Sequence, residues 1–595
     1  MRRRGFLQVV VVSAATSMIR CQDELHHDYP QDGPPPISDP EDVLRVFPQG
    51  LASGDPRPDS VVLWTRVQPP AGRAGESFDV RYYVLDDAGE APAITGTLRA
   101  APEADHTVRL KLVELAPYTT YHYRFEALGV WSDTGRTRTA PEPEQDVTPR
   151  FAVASCQEYV GRWYHAWRAL VELEEGEGAV DFVLFLGDYI YETIADPRFQ
   201  PLASERALSL PDGLPLDDAP DTGNLAAYTL ADYRALYRQY RADPALRRAH
   251  ARYPFIAIWD DHEFTNDAWQ DVANEFDERD GEERQTARRE AATRAWFEYL
   301  PVDLEHDSSA RFPEDIRTYR ALRYGRHVEL LLTDLRYYRD DHLIPEGPLA
   351  PDVGKFLEHS PLGARVLAIK PAFDALEAEL RPTMLGATQR DWLLDAARGS
   401  TATWKLWASA LMVAQLVVDL SAFDQLPALL RNAYYFKPDQ WDGFRSERAA
   451  LLAALQDVEN LVVLSGDLHG FYAAHLRPDF DEPDAPATAV EFTTAGISSI
   501  SLLEQLALFT SQDPALATLG LGEIVPLFDD NVRAHGSHFV HADSARYGLA
   551  LVVARAGELD VELLELDAVT SPEYSPPARR RRFRVRSGTS AIESL

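Results

Sequence analysis

The hydrophobic rhythm of the chain changes near residue 149. Between Phe47 and Pro141 the apolar positions fall in short runs punctuated by Gly, Pro and Asp, clearest at Ser60–Arg66, Asp79–Val84 and Thr107–Leu112, which reads as strands. Leu115–Phe125 reads as a turn feeding a strand with a Tyr at its start, as in fibronectin-type sandwiches. Residues 47–141 are therefore expected to form a fibronectin/Ig-like β-sandwich. Beyond Pro149, the runs Phe151–Ser155, Phe182–Leu186, Phe255–Trp259, Glu329–Thr333 and Leu461–Ser465 are mostly apolar, which suits strands buried on both faces. Between the second and third of these, Tyr233, Leu236, Tyr237 and Tyr240 stand at i, i+3, i+4 and i+7. That spacing predicts a helix over Asp232–Ala242. It should stop before Pro244, with Asp243 placed to cap a further short helix. Strands alternating with helices predict an α/β domain with layered mixed sheets over 149–567. The basic tail, 568–595 with Arg579–Arg586, reads equally as an edge strand or a disordered end. The stretches 343–380 and 503–537 match no usable pattern.

Composition narrows this picture. A chain of 595 residues suits two domains plus tails, and 45% hydrophobic residues suffice for a large core. A formal net charge of −35 disfavours polyanionic partners, so no specific nucleic-acid-binding surface is expected. The two cysteines, Cys21 and Cys156, are too few for a disulfide framework or a four-Cys zinc site. Arg2-Arg3-Arg4, Gly5-Phe6-Leu7 and the apolar run Val9–Ile19 resemble a twin-arginine export signal over 1–22. The expected partner is the twin-arginine export machinery, and the expected location is periplasmic, cell-surface or secreted. Cys21 is a candidate lipid anchor, although Arg20 stands before it where lipoprotein signals want a small residue. Residues 23–46, with Pro34-Pro35-Pro36, read as a flexible tether.

Chemistry collects where the apolar runs end. The ends are Ser155-Cys156-Gln157, Gly187-Asp-Tyr-Ile-Tyr-Glu192, Asp260-Asp-His-Glu-Phe-Thr-Asn-Asp267 and Gly466-Asp-Leu-His469. Ligand groups in α/β sheets gather at such ends. Each residue alone has an ordinary structural reading: Cys156 as a small buried hydrophobe, Tyr191 as core, Asp188 as a helix cap. Four such ends in one chain point elsewhere. Phosphate-ester hydrolysis needs an activated hydroxide and neutralised phosphoryl oxygens, which two metal ions about 3.5–4 Å apart supply. Asp188 is the candidate bridging carboxylate. Tyrosine and thiolate donors suit Fe(3+), which places Cys156, Asp188, Tyr191 and His469 together. Asp188, Asp261, Asn266 and Asp467 offer oxygens suited to harder ions such as Ca(2+) or Mg(2+). His262 is the candidate proton donor or transition-state stabiliser. Asp188 and His262 are thus the expected catalytic pair. Arg336 and Arg339 would either reach a phosphate or form buried salt bridges.

These four motifs resemble the successive metal-site motifs of PhoD-like alkaline phosphatases. Leu51–Pro56, Asp334–Arg339, Met384–Gln389, Gln440–Gly443 and Val490–Thr494 match as well, in order, from about Phe47 to Asp567. The resemblance implies an N-terminal sandwich joined to a metallophosphatase domain. It also implies hydrolysis of small-molecule or polymeric phosphate esters at alkaline pH, with a ferric ion and calcium. Gly470-Phe471-Tyr472 departs from the family's pattern of small polar residues followed by Trp. A lipid or cell-wall phosphodiesterase is the alternative within this chemistry. A non-catalytic surface binding protein is the alternative outside it.

Overall fold

A computed structural model describes residues 10–11, 38–87, 93–196, 200, 205–216, 223–273, 284–344, 362, 366–512, 518 and 520–595. Apart from Val10–Val11, the expected export signal, with Cys21, lies outside these residues. Of the expected tether only 38–46 is described, and there the expectation of a flexible segment fails: Pro40–Val46 is a helix. Asp39 caps it by accepting from the Glu41 N–H, Pro40 suits its first turn, and Val43 and Val46 are buried.

The N-terminal part is a sandwich of antiparallel strands. One layer contains Phe78–Asp86 between Ile94–Ala100 and Thr120–Ala127. The other contains Leu51–Gly54, Val61–Arg66 and Thr107–Leu112. The Tyr121 hydroxyl, at the start of its strand, accepts from the Ala116 N–H at 2.9 Å, as the turn-and-Tyr pattern implied. The sandwich is not detached from the rest. Leu51–Gly54 pairs in parallel with Pro254–Ile258, through Ser53 with Pro254 and Gly54 with Phe255. One sheet therefore runs from the sandwich into the α/β part.

That part has two large sheets. In the first, Pro254–Ile258, Phe182–Leu186 and Arg150–Ala154 are parallel neighbours, followed by antiparallel Tyr547–Ala554, Glu558–Leu566 and Arg579–Arg586. In the second, the order is Arg320–Tyr324, Val328–Leu332, Trp404–Ala408, Leu461–Ser465, Ala489–Thr493, Phe471–Leu476 and Phe539–Asp543. Alternate residues of the first sheet explain its burial. Phe151, Val153, Phe182, Leu184, Ile256 and Ile258 pack with Leu330, Leu406 and Val463 of the second sheet. Ala152, Ala154, Val183, Phe185, Phe255 and Ala257 pack with Trp167, Leu236, Tyr237 and Tyr240 on the helical side.

The expected helix spans Leu230–Arg241 and begins two residues earlier than the apolar spacing indicates, because Thr229 and Asp232 form a capping box. Asp243 caps the next helix, Pro244–Arg252, through the Ala245 and Leu246 N–H groups. The basic tail is neither the edge strand nor the disordered end expected: Arg579–Arg586 lies between Glu558–Leu566 and the short Ile592–Ser594, which forms the edge. Arg580 and Arg582 meet Glu562, Arg584 meets Asp560 and Arg581 meets Glu565, so the acidic strand before it neutralises it.

Candidate metal centre

The site forms where both sheets end. Arg150–Ala154, Phe182–Leu186 and Pro254–Ile258 deliver Cys156, Asp188, Asp260 and Asp261 from one sheet, and Leu461–Ser465 delivers Asp467 and His469 from the other. The two approach closely: Ser155 bridges to Gly496, and a Cβ on Gly466 would lie 2.6 Å from the Ser155 Oγ. Gly187, at φ 105°, leaves room for Asp260, whose Cβ would lie 2.5 Å from an added methyl. Cys156, Asp188, Asp467 and His469 all have φ between 56° and 59°, the left-handed region non-glycine residues rarely enter. Four such residues at three turns put the cost of strain at one place, as functional sites do.

Donor atoms of Cys156, Asp188 and His469 lie within 4.8 Å of one another, and so do those of Asp188, Asp260, Asp261 and Asp467. Asp188 belongs to both groups and also to a third with Asp261 and His262. Tyr191 joins the first: its hydroxyl is 3.1 Å from the Asp188 Oδ2 and 3.2 Å from the His469 Nε2. The Ser499 hydroxyl lies within hydrogen-bond distance of it, at 2.6 Å. His469 Nδ1 donates to the Ile500 carbonyl at 2.7 Å, which fixes the tautomer and leaves Nε2 as a lone-pair donor. Asn266 enters through its backbone, whose N–H donates to Glu192 at 2.8 Å.

His262 stands at the open side, with 17% of its side chain exposed. Its Nδ1 donates to the Glu192 Oε2 at 2.7 Å, and its ring centre is 4.2 Å from that of Tyr191. Burial works against its charge, but Glu192, Asp261 and Asp188 outweigh burial and hold its pKa well above the usual 6.5. Its proton is therefore held more firmly than that of a free imidazole.

Several further residues position the site, and all but the two arginines among them carry no role in the sequence reading. Glu263 accepts from the backbone N–H groups of Asp188, Tyr189 and Asp260 at 3.0, 2.6 and 2.8 Å, so one carboxylate ties two strand ends together. Arg336 is fully buried and meets Asp260 at 2.5 Å, Asp439 at 3.0 Å and Asp261 at 3.6 Å. Arg339 meets Asp439 at 2.8 Å. Of the two readings of these arginines, the buried salt bridge is the one built. Lys437 faces Asp467, Asp267, Asp261 and Asp439, which raise its pKa against the effect of burial. Gln440 donates to Asp467. Glu192 and Glu263 lie inside the quoted motifs, whereas Asp439 and Lys437 reach the site from just before the matching segment Gln440–Gly443 and outside every quoted motif.

The donors fit metal ions. The Asp188 Oδ1 is buried without a hydrogen-bond partner. Burial and neighbouring carboxylates push Asp188 and Asp260 well above the usual carboxylate range, and burial above all pushes Asp467 up to about 6. Burial and the nearby Asp188 raise the Cys156 thiol in the same way. Such crowding of acids is what a cation relieves.

A nest of this kind at the joined ends of two packed sheets is that of a metal-dependent phosphoesterase. The family model of the PhoD-like phosphatases matches residues 151–563, and that of their N-terminal domain matches 37–141. Alkaline phosphatase D of Bacillus subtilis (strain 168) is 31% identical over 468 residues, 76% of this chain and 69% of the relative. The solved structure of PhoD aligns over 93% of this chain and 92% of its own, at 25% identity and a TM-score of 0.71. A purple acid phosphatase from yellow lupin seeds aligns over 90% of this chain and 73% of its own, at 10% identity and a TM-score of 0.46. The chain therefore belongs to the PhoD-like phosphatase family and is a phosphoric ester hydrolase of the alkaline phosphatase D kind.

Proposed function

We propose that the chain is an exported phosphatase and phosphodiesterase whose nest holds a ferric ion and calcium. The observation that carries this reading is the double membership of Asp188, which joins a Cys–Tyr–His group to an all-carboxylate group. Cys156, Tyr191 and His469 with Asp188 would hold the ferric ion; Asp188, Asp261, Asn266 and Asp467 would hold calcium. Bound there, the ions would supply charge neutralisation for phosphoryl oxygens and an acidified water. The remaining work falls to the chain. Glu192 holds the His262 imidazolium, which gives its proton to the leaving oxygen of the ester. Glu263 and Arg336 keep the carboxylates in place while that charge builds. The N-terminal Arg2-Arg3-Arg4 and the apolar run after it support export.

The test is hydrolysis of a chromogenic phosphomonoester and phosphodiester at alkaline pH, with calcium and then with chelator. Calcium-dependent turnover abolished by chelation supports the reading; no turnover in metal-loaded protein overturns it. Iron is tested by colour, since a ferric tyrosinate absorbs visible light and Tyr191→Phe should bleach it. A colourless, iron-free and fully active protein removes the ferric assignment. Retention of an Arg2→Lys, Arg3→Lys double variant in the cytoplasm tests export.

A further inference from the structure

A second group of donors lies outside the nest, where the edge of the second sheet meets the first. His541 and Asp543 stand on Phe539–Asp543, and Glu565 stands on Glu558–Leu566. Residues two apart on a strand share a face, so His541 and Asp543 project together. One ligand atom from each of the three residues lies within 4.8 Å of the others. His541 is 9% exposed and Glu565 is fully buried. The Nε2 of His541 and the Oε2 of Glu565 are both buried without a hydrogen-bond partner.

Two orphaned polar atoms in one cluster require a cause, since each costs about 1–3 kcal/mol. The neighbouring cations do not provide it. Arg581 Nε donates at 2.6 Å to Oε1 of Glu565, the other oxygen. Arg546 meets Asp567 and stays 3.8 Å from Asp543. Arg533 is occupied by Asp530 and the Ala542 carbonyl. Burial, helped by Arg581, holds the His541 pKa down to about 4, so its imidazole is neutral and able to ligate. Phe583 lies beside the ring, with centres 5.7 Å apart, and supplies an apolar wall.

We propose that His541, Asp543 and Glu565 bind a divalent ion of the zinc class, forming a clip between the two sheets. One imidazole nitrogen and two carboxylate oxygens are three zinc ligands, with water free to complete a tetrahedron. The nitrogen donor argues against calcium, which prefers oxygen throughout. The clip also bears on the nest. Phe539–Asp543 pairs with Phe471–Leu476, the strand that follows His469. A metal here ties the backbone carrying that histidine to the opposite sheet.

The experiment uses the full chain, stripped with chelator and reloaded with zinc chloride. His541→Gln and Asp543→Asn should each bind one zinc fewer per chain than the wild type. Zinc should raise the wild-type Tm by more than it raises that of either variant. Comparison with the wild type removes any zinc taken up by the nest, which all three proteins share. Wild-type crystals soaked in zinc should show an anomalous peak at the zinc edge among the three side chains, which decides the matter even if a variant fails to fold. Equal zinc content in all three proteins, or no peak at this position, overturns the proposal.

Discussion

The two ends of the nest meet at Asp188 and are built on opposite electrostatic plans. At one end Cys156, Tyr191 and His469 are oriented by neutral partners, the Ser499 hydroxyl and the Ile500 carbonyl. At the other, Asp260, Asp261 and Asp467 are kept together by charge, from Arg336 and Lys437. Neutral donors tolerate burial without a metal, at the cost of a thiol and a phenol that stay protonated until one arrives. Carboxylates at this density do not, so a permanent guanidinium must be folded in beside them. The comparison teaches that one end chooses its ion by donor type, while the other is preassembled by fixed charge.

The largest expected effect comes from removing what the two ends share. Asp188→Ala should lower kcat by roughly a thousandfold or more, since an anchored metal is worth several kcal/mol to the transition state. Metal analysis should show loss from both ends. If only one class of ion is lost, the ends are independent and the comparison breaks. Next is Arg336→Met, which leaves Asp260 buried without its cation and takes from Asp439 one of its two guanidinium partners. In chelated protein it should cost about 3–5 kcal/mol, read from urea unfolding. A loss below about 1 kcal/mol would mean that the acidic end is not held by charge.

Much of this arrangement was legible in the sequence, and the limits have physical reasons. Fully buried strands announce themselves as apolar runs, so the positions of Cys156, Asp188, Asp261 and Asp467 at strand ends followed directly. The union of sandwich and catalytic sheet did not. Its parallel pairing is made by backbone groups of Ser53 and Gly54, which leave no side-chain pattern. Glu263 was visible but mute, because a carboxylate bonded to three backbone N–H groups looks in sequence like any other acid. Asp439 and Lys437 were invisible, since their loop is brought to the nest only by tertiary packing. The Pro40–Val46 helix was hidden by its Pro-rich approach, although Asp39 and Pro40 are an ordinary helix start.

His262 sharpens the comparison further, since it is charged by Glu192, Asp261 and the shared Asp188 and not by the neutral donors. His262→Gln should slow turnover by about 10²–10³-fold with metal content unchanged. Its pKa is raised in the folded protein. The stability it contributes is therefore fully present below its unfolded value and is lost as pH rises through the folded value. Activity that depends on its proton should fall over the same alkaline rise. Glu192→Gln removes a charge that raises this pKa, so the alkaline limb of the rate profile should move to lower pH. An unmoved limb assigns that limb to another group.

The smallest effect tests the neutral end. The Ser499 hydroxyl lies 2.6 Å from the Tyr191 oxygen and 2.9 Å from the Cys156 carbonyl, and it accepts from the Glu158 N–H at 3.2 Å. It has one proton, so it donates to either the phenol or the carbonyl. Burial and the Asp188 charge push the Tyr191 hydroxyl well above its usual range, and the serine bond pulls against them. Ser499→Ala should therefore leave the fold and the acidic end unchanged while making Tyr191 a poorer ligand. The loss of one such bond is about 1 kcal/mol, or roughly fivefold in metal affinity at this end. Competition with a chelator, followed separately for iron and calcium, measures it. A fivefold loss in iron alone keeps the two plans distinct. Equal weakening of both ions would mean that Asp188 transmits the change and that the nest responds as one unit.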